Sequence, residues 1–316
     1  MKVLIFTCYK NLERFQSRVD NRTLLWGLDQ ANIDWELSIP WKPLPDLSQF
    51  DGAFSTLYAP LFRNFIYHCK VAEQKCREAG IPVINSCENY SPPHSFFLKQ
   101  WKEAGIPCAG YEFFKDFDTV TLNYPMILRV DGVHRGLNMY FVSNRKEAQE
   151  AIDHQNELHQ RYFPSREGPK PLNIAIEFVN TAGKDGFYEK KRCYVIGDKI
   201  IPAHYLRSVT RFVNYKDSLL DPATCAADKE YTLQDEFTDD YDLVMRAAKA
   251  TGLDIITLDY SIKPNGEYVF WEGNRRRATA GDQRIKWLGI RPPDIVYGNT
   301  VAEFIRQKIE EASLVV

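Results

Sequence analysis

The sequence predicts an α/β fold: an N-terminal parallel α/β unit, followed by further subdomains of helices and hairpins. Three observations predict it. Strand-like and helix-like segments alternate from Met1 to about Tyr90, the order that a parallel sheet with crossover helices requires. At 316 residues the chain exceeds one ordinary core, so two or three subdomains are expected. The later half carries two hairpin patterns, KRCYVIGDKIIPAHYLRS and DIITLDYSIKPNGEYVFWEGN.

In chain order, VLIFTC, WELSIP, DGAFSTLYA and IPVINS read as the strands of the first unit. Residues 64–80 carry Phe65, Cys69, Ala72 and Cys76 at helical spacing and end at Gly80, a C-cap. No Gly-x-Gly-x-x-Gly follows the first strand, and the first glycine is Gly27, which excludes a dinucleotide-binding first turn. Glu88 to His94, with its proline pair, reads as a linker.

SFFLKQWKEAGIP then predicts a helix stopped at Gly105, followed by a short extended segment. Tyr124 to Val130 predicts a strand, and Asp131 to Leu137 a loop. Asn144 and Glu147 form a capping box for a helix reaching about His159, and the proline-rich stretch 161–172 is a connection. Asn173 to Val179 is strand-like, and a hairpin turns at Gly197-Asp198. Ser208 to Glu236 reads as a long polar loop, and Thr238 to Ala250 as a helix capped by Thr238. Asn265-Gly266 supplies the positive φ of the last hairpin. A closing helix begins at Thr300, with Val301, Phe304, Ile305 and Ile309 as its buried stripe.

With 44% hydrophobic and 26% charged residues, the composition is that of an ordinary globular protein. A net charge of −2 gives no support for nucleic-acid binding. The apolar runs are too short to span a bilayer and no signal peptide opens the chain, so no membrane partner is expected. Seven cysteines without zinc spacing read as reduced thiols of a cytoplasmic protein.

The chemistry concentrates in the last hairpin. Asp259 is embedded in an apolar strand, Glu272 follows Val-Phe-Trp, and an antiparallel return can bring the two side by side. Two carboxylates so placed are costly to bury without a cation. With the Asn274 amide oxygen they form a hard-oxygen set suited to Mg²⁺.

Four stretches, SFFLKQWKEAGIP, YPMILRVDGVHRG, AIEFV and LDYSIKPNGEYVFWEGN, together resemble the ATP-grasp superfamily over nearly the whole chain. The resemblance is to carboxylate–amine ligases of the ribosomal-S6-modifying glutamate ligase and D-alanine–D-alanine ligase type. It implies a pre-ATP-grasp unit over 1–90, a small α+β lid over 91–172 and a C-terminal α+β subdomain over 173–316, the last two sandwiching ATP. It also implies that Asp259, Glu272 and Asn274 ligate Mg²⁺, and that Arg129 and Gly132 meet the phosphates; His134, in the same loop, is a further candidate phosphate contact against the reading of an exposed loop histidine. Glu177, Phe178 and Val179 would line the nucleoside. Arg192 would lie near the transferred phosphate, and Arg207 and Asn214 on the segment that closes the acyl-phosphate site. Apart from the resemblance, the run Arg275, Arg276 and Arg277 beside Asn274 reads either as a clamp for an anionic substrate or as a solvated charged face.

The implied reaction joins a small carboxylate to an amine through an acyl phosphate, on amino-acid or peptide-like substrates, and a homodimer is the default by fold analogy. Two alternatives stand beside it: an ATP-binding module without ligation, and a phosphotransferase. Three departures motivate them. Arg129 stands where the family has lysine, the loop after it has only Gly132 and Gly136, and three arginines follow Asn274.

Overall fold

The computed structural model describes residues 1–9, 12–16, 19–56, 63–88, 95–130, 139–162, 173–213, 218, 221–234, 236–274 and 293–314. The first sheet is parallel, in the order β2-β1-β3-β4, from β1 (Lys2–Phe6), β2 (Asp34–Ser38), β3 (Gly52–Ser55) and β4 (Val83–Ile84). Val3 and Ile5 of β1 pack toward α2 (Val19–Gln30) and the closing α8 (Pro293–Ser313), whereas Leu4 and Phe6 pack toward α3 (Arg63–Glu78). Burial of both faces explains the unbroken apolar run VLIF. A short α1 (Leu12–Gln16) precedes α2 in the β1–β2 crossover.

α2 and α8 touch backbone to backbone. A Cβ on Gly27 would lie 2.1 Å from the Gly298 carbonyl oxygen, and one on Gly298 would lie 2.3 Å from that of Thr23. Gly298→Ala must push the helices apart. It is expected to cost about 1–3 kcal/mol, read as a lower urea midpoint at unchanged slope.

The second sheet is antiparallel, in the order β5-β8-β6-β7, from β5 (Tyr111–Phe114), β6 (Met126–Val130), β7 (Met139–Val142) and β8 (Asn173–Glu177). Met126, Leu128, Val142 and Ala175 pack with Ala148 and Ala151 of α5 (Arg145–Tyr162). Half of the expected capping box opens α5: Asn144 Oδ1 accepts from the Glu147 N–H at 3.0 Å, while Glu147 Oε2 reaches one residue further back and accepts from Ser143 N–H at 2.7 Å. Because β8 bonds between β5 and β6, residues 173–177 share a sheet with the segment that the sequence assigns to the lid rather than with the strands after them.

The third sheet, also antiparallel, runs β10-β9-β11-β12, from β9 (Tyr188–Ile196), β10 (Lys199–Ser208), β11 (Ile255–Ile262) and β12 (Tyr268–Asn274). One face packs on α4 (Ser95–Glu103) and α7 (Tyr241–Lys249). The other shares a core with α8 and the first sheet through Tyr194, Ile196 and Ile255. Asn85, at φ 56°, ties these two sheets together: its N–H donates to Asp254 Oδ2 at 2.6 Å and its Oδ1 accepts from Ile255 N–H at 3.2 Å.

Three expectations are corrected. The stretch 208–236 contains α6 (Pro222–Leu233), capped by Asp221, whose Oδ1 accepts from Ala223 and Thr224 N–H at 3.1 Å. Its buried positions are Thr224, Asp228 and Tyr231, and Asp228 Oδ1 accepts from Tyr205 N–H at 2.6 Å. A helix buried through polar side chains leaves no apolar stripe to read. α7 is capped by Asp240, not Thr238, and α8 starts at Pro293, not Thr300. Among the described residues no helix is long and apolar enough to cross a membrane.

Candidate active site

Alternation along β11 divides two roles. Ile256, Leu258 and Tyr260 enter the core with α4 and α7, so Thr257, Asp259 and Ser261 point to the opposite face. Register carries this face across three strands: Arg192 of β9 lies opposite Asp259, Glu272 of β12 lies opposite Asp259 on the other side, and Asn274 lies opposite Thr257. Register shifts after Asp259, so that Tyr260 faces Phe270 and Trp271 is the extra residue of a β-bulge. The Trp271 Nε1–H donates to Ser261 Oγ at 2.7 Å.

Between the two outer ligands of the predicted set stands Gly273, facing the other way. A Cβ there would meet Phe97 Cδ1 at 2.9 Å and Ile256 Cδ1 at 3.0 Å. With no side chain at this position, β12 lies flush on α4 and keeps Glu272 and Asn274 on the polar face. Gly273→Ala is expected to shift both and to cost about 1–3 kcal/mol of stability, read as a lower urea midpoint, whereas Gly273→Ala with Phe97→Leu should recover part of that loss.

Asp259 is 1% exposed at its side chain and is held by two cations. Arg192 grips it through two bonds, Nε to Oδ1 and Nη2 to Oδ2, the latter at 2.6 Å, and Lys190 Nζ reaches Oδ2 at 3.2 Å. Burial pushes the Asp259 carboxyl up, but the Arg192 and Lys190 charges outweigh it and hold the group well below the usual carboxylate range. Burial likewise disfavours the charged Arg192, and Asp259 more than restores it.

The remaining predicted residues fall elsewhere. Arg129 is buried on β6 in the row of Ile174, whose side chain joins the α4 core, so it lies on the sheet face away from α5. Glu177 ends β8, and its Oε2 accepts from Gly110 N–H at 3.1 Å. Phe178 meets Phe141 edge-on at 4.9 Å, and the Arg211 guanidinium stacks over Phe141 at 3.7 Å, joining the end of β10 to the second sheet. Val179 is half-buried. Arg207 pairs with Asp185, stacks on Phe187 at 4.1 Å and lies opposite Glu189, which strand alternation puts on the other face from Arg192. Gly132, His134, Asn214, Arg275, Arg276 and Arg277 lie outside the described residues.

Sequence reasoning missed Lys190 and Gly273. The signal for Lys190 was its position two residues before Arg192, which on a strand means the same face. Among the described residues no group of three or more His, Cys, Asp and Glu side chains gathers as a metal cluster. The predicted oxygen set is Asp259, Glu272 and the Asn274 amide, two carboxylates rather than three. Its donors are all hard, they share one face, and three bonds to Asp259 leave about one of its four lone-pair directions open. The set fits a Mg²⁺ ion.

A parallel α/β unit joined to two antiparallel sheets with helices on their faces defines the class of this chain as α/β with α+β subdomains. No protein-family model and no curated protein matches it. Solved structures do. A RimK-domain ATP-grasp protein from Sphaerobacter thermophilus is similar over 97% of this chain and 100% of its own, with TM-score 0.55 at 15% identity. The ATP-grasp ligase PsnB complexed with precursor peptide PsnA2 and AMPPNP is similar over 98% of both chains, with TM-score 0.59 at 13% identity. A second PsnB structure, with minimal precursor, Mg and ADP, gives the same values, 98% of both chains, TM-score 0.59 and 13% identity. The fold is the ATP-grasp fold.

Proposed function

We propose that this protein is an ATP- and Mg²⁺-dependent carboxylate–amine ligase acting on small amino-acid or peptide-like substrates. The observation that carries the reading is the row Arg192–Asp259–Glu272, with Asn274 on the same face of the third sheet. ATP brings about four negative charges and the acceptor carboxylate one more, and two unit charges at 4 Å repel by about 4 kcal/mol at an effective dielectric of 20. The chain supplies Arg192 and Lys190 against that repulsion, already oriented by Asp259. Asp259, Glu272 and Asn274 would hold the metal. Magnesium, when bound, supplies Lewis-acid charge on the phosphate oxygens.

The acceptor carboxylate attacks the γ-phosphorus and ADP leaves. The amine then attacks the acyl carbon of the acyl phosphate, and inorganic phosphate leaves as the amide forms. Arg192 would face charge as it develops on the transferred group. Arg129, on the second sheet, would meet the phosphates from the other side, with Phe178 and Val179 near the nucleoside. One solved neighbour is complexed with a precursor peptide, which supports including peptides in the substrate panel.

The test is incubation with ATP, Mg²⁺ and a panel of acid–amine pairs, peptides included. ADP and phosphate release that requires both partners is expected. AMP release, or a stable phosphorylated product without amide, contradicts the reading. ATP binding without turnover across the panel favours a nucleotide-binding module.

A further inference from the structure

Asp259 has more positive charge around it than its own charge requires. Arg192 alone satisfies both of its oxygens with two parallel bonds, the strongest arrangement a guanidinium offers a carboxylate. Lys190 adds a second cation at 3.2 Å, on a side chain only 16% exposed. A lysine ammonium is strongly hydrated, and drawing it this far out of water is costly for a carboxylate already neutralised by Arg192. Both cations come from one strand, two residues apart, and both lie on the face that carries Glu272 and Asn274. Of the described residues, Asp259 and Glu272 balance Arg192 and Lys190 in formal charge, and His204 lies opposite Arg192 on the same face.

We propose, resting on the metal-site reading above, that Lys190 is a resident counter-ion occupying the metal's place on Asp259. A divalent cation reaching Asp259 meets the Lys190 ammonium in its path. The two repel, and because Arg192 takes one lone pair of Oδ2, ammonium and metal compete for the other. Metal entry therefore moves Lys190 off Asp259 while the bidentate Arg192 stays. The freed ammonium, on a flexible four-carbon stem, turns toward the nearest unneutralised anion on that face, the triphosphate that arrives with the metal. Lys190 thus neutralises Asp259 ahead of metal entry and favours loading of metal together with nucleotide over metal alone.

The test is direct binding of Mn²⁺, a spectroscopically visible stand-in for Mg²⁺, to the full-length protein without nucleotide, read from the free-ion resonance signal. Lys190→Met should bind Mn²⁺ at least about tenfold more tightly than wild type, a difference of about 1.4 kcal/mol. Lys190→Arg, which keeps the charge, should return to the wild-type affinity. With Mn²⁺ saturating, Lys190→Met should bind the ATP analogue more weakly than wild type. Unchanged or weaker Mn²⁺ binding in Lys190→Met, with its melting temperature retained, overturns the proposal and leaves Lys190 as a structural anchor. Failure of the parent reading looks different: wild type and Lys190→Met would bind no Mn²⁺ and Glu272→Gln would change nothing with nucleotide present.

Discussion

Replacing Asp259 with alanine is expected to lower the unfolding free energy by about 3–5 kcal/mol, because it removes the carboxylate that takes two bonds from a buried guanidinium. Arg192 is buried, and two of its bonds go to this one carboxylate. The loss should carry a pH signature. The folded Asp259 carboxyl lies below its ordinary value, so its contribution is complete above about pH 4, the unfolded value, and is lost as pH falls through the folded one. Wild-type stability should therefore drop more steeply on the acid side than that of Asp259→Ala, and the two curves should converge in strong acid. Urea titrations of both proteins between about pH 2 and pH 7, spanning the carboxylate range, read this directly. Parallel curves would mean that ionisation of Asp259 is not linked to folding.

The largest effect on turnover is expected from Arg192→Ala paired with Glu272→Gln as separate variants. Removing one preorganised group that faces developing charge typically lowers kcat by about 10²–10³. Glu272 lies on the half-exposed side of the row, so Glu272→Gln should leave the melting temperature near that of wild type while abolishing most metal-dependent turnover. Arg192→Ala should lower both, because it also removes two of the three bonds to the buried Asp259 carboxylate. A Glu272→Gln enzyme with wild-type kcat would remove Glu272 from the chemistry.

Much of the last hairpin was legible because strand physics is local. The polar positions Thr257, Asp259 and Ser261 alternate with Ile256, Leu258 and Tyr260, so one face declares itself without any fold in hand. The turn was only partly so: Gly266 alone takes positive φ, 86°, while Asn265 uses its side-chain oxygen to accept from Glu267 N–H at 3.1 Å. What stayed hidden depended on distant contacts. Lys190 matters because β9 lies between β10 and β11, a pairing no short window reports. Gly273 matters because Phe97, far away in sequence, fills the space its side chain would need. α6 stayed hidden because Thr224, Asp228 and Tyr231 face inward, where a periodicity search expects aliphatic residues.

The central claim is that one face of the third sheet grips magnesium and through it ATP. Calorimetric titration of a non-hydrolysable ATP analogue into wild type and Glu272→Gln, each with and without Mg²⁺, tests it most directly. The account predicts binding to wild type that Mg²⁺ strengthens, and a Glu272→Gln protein in which Mg²⁺ makes little difference. Equal strengthening by Mg²⁺ in both proteins would contradict it.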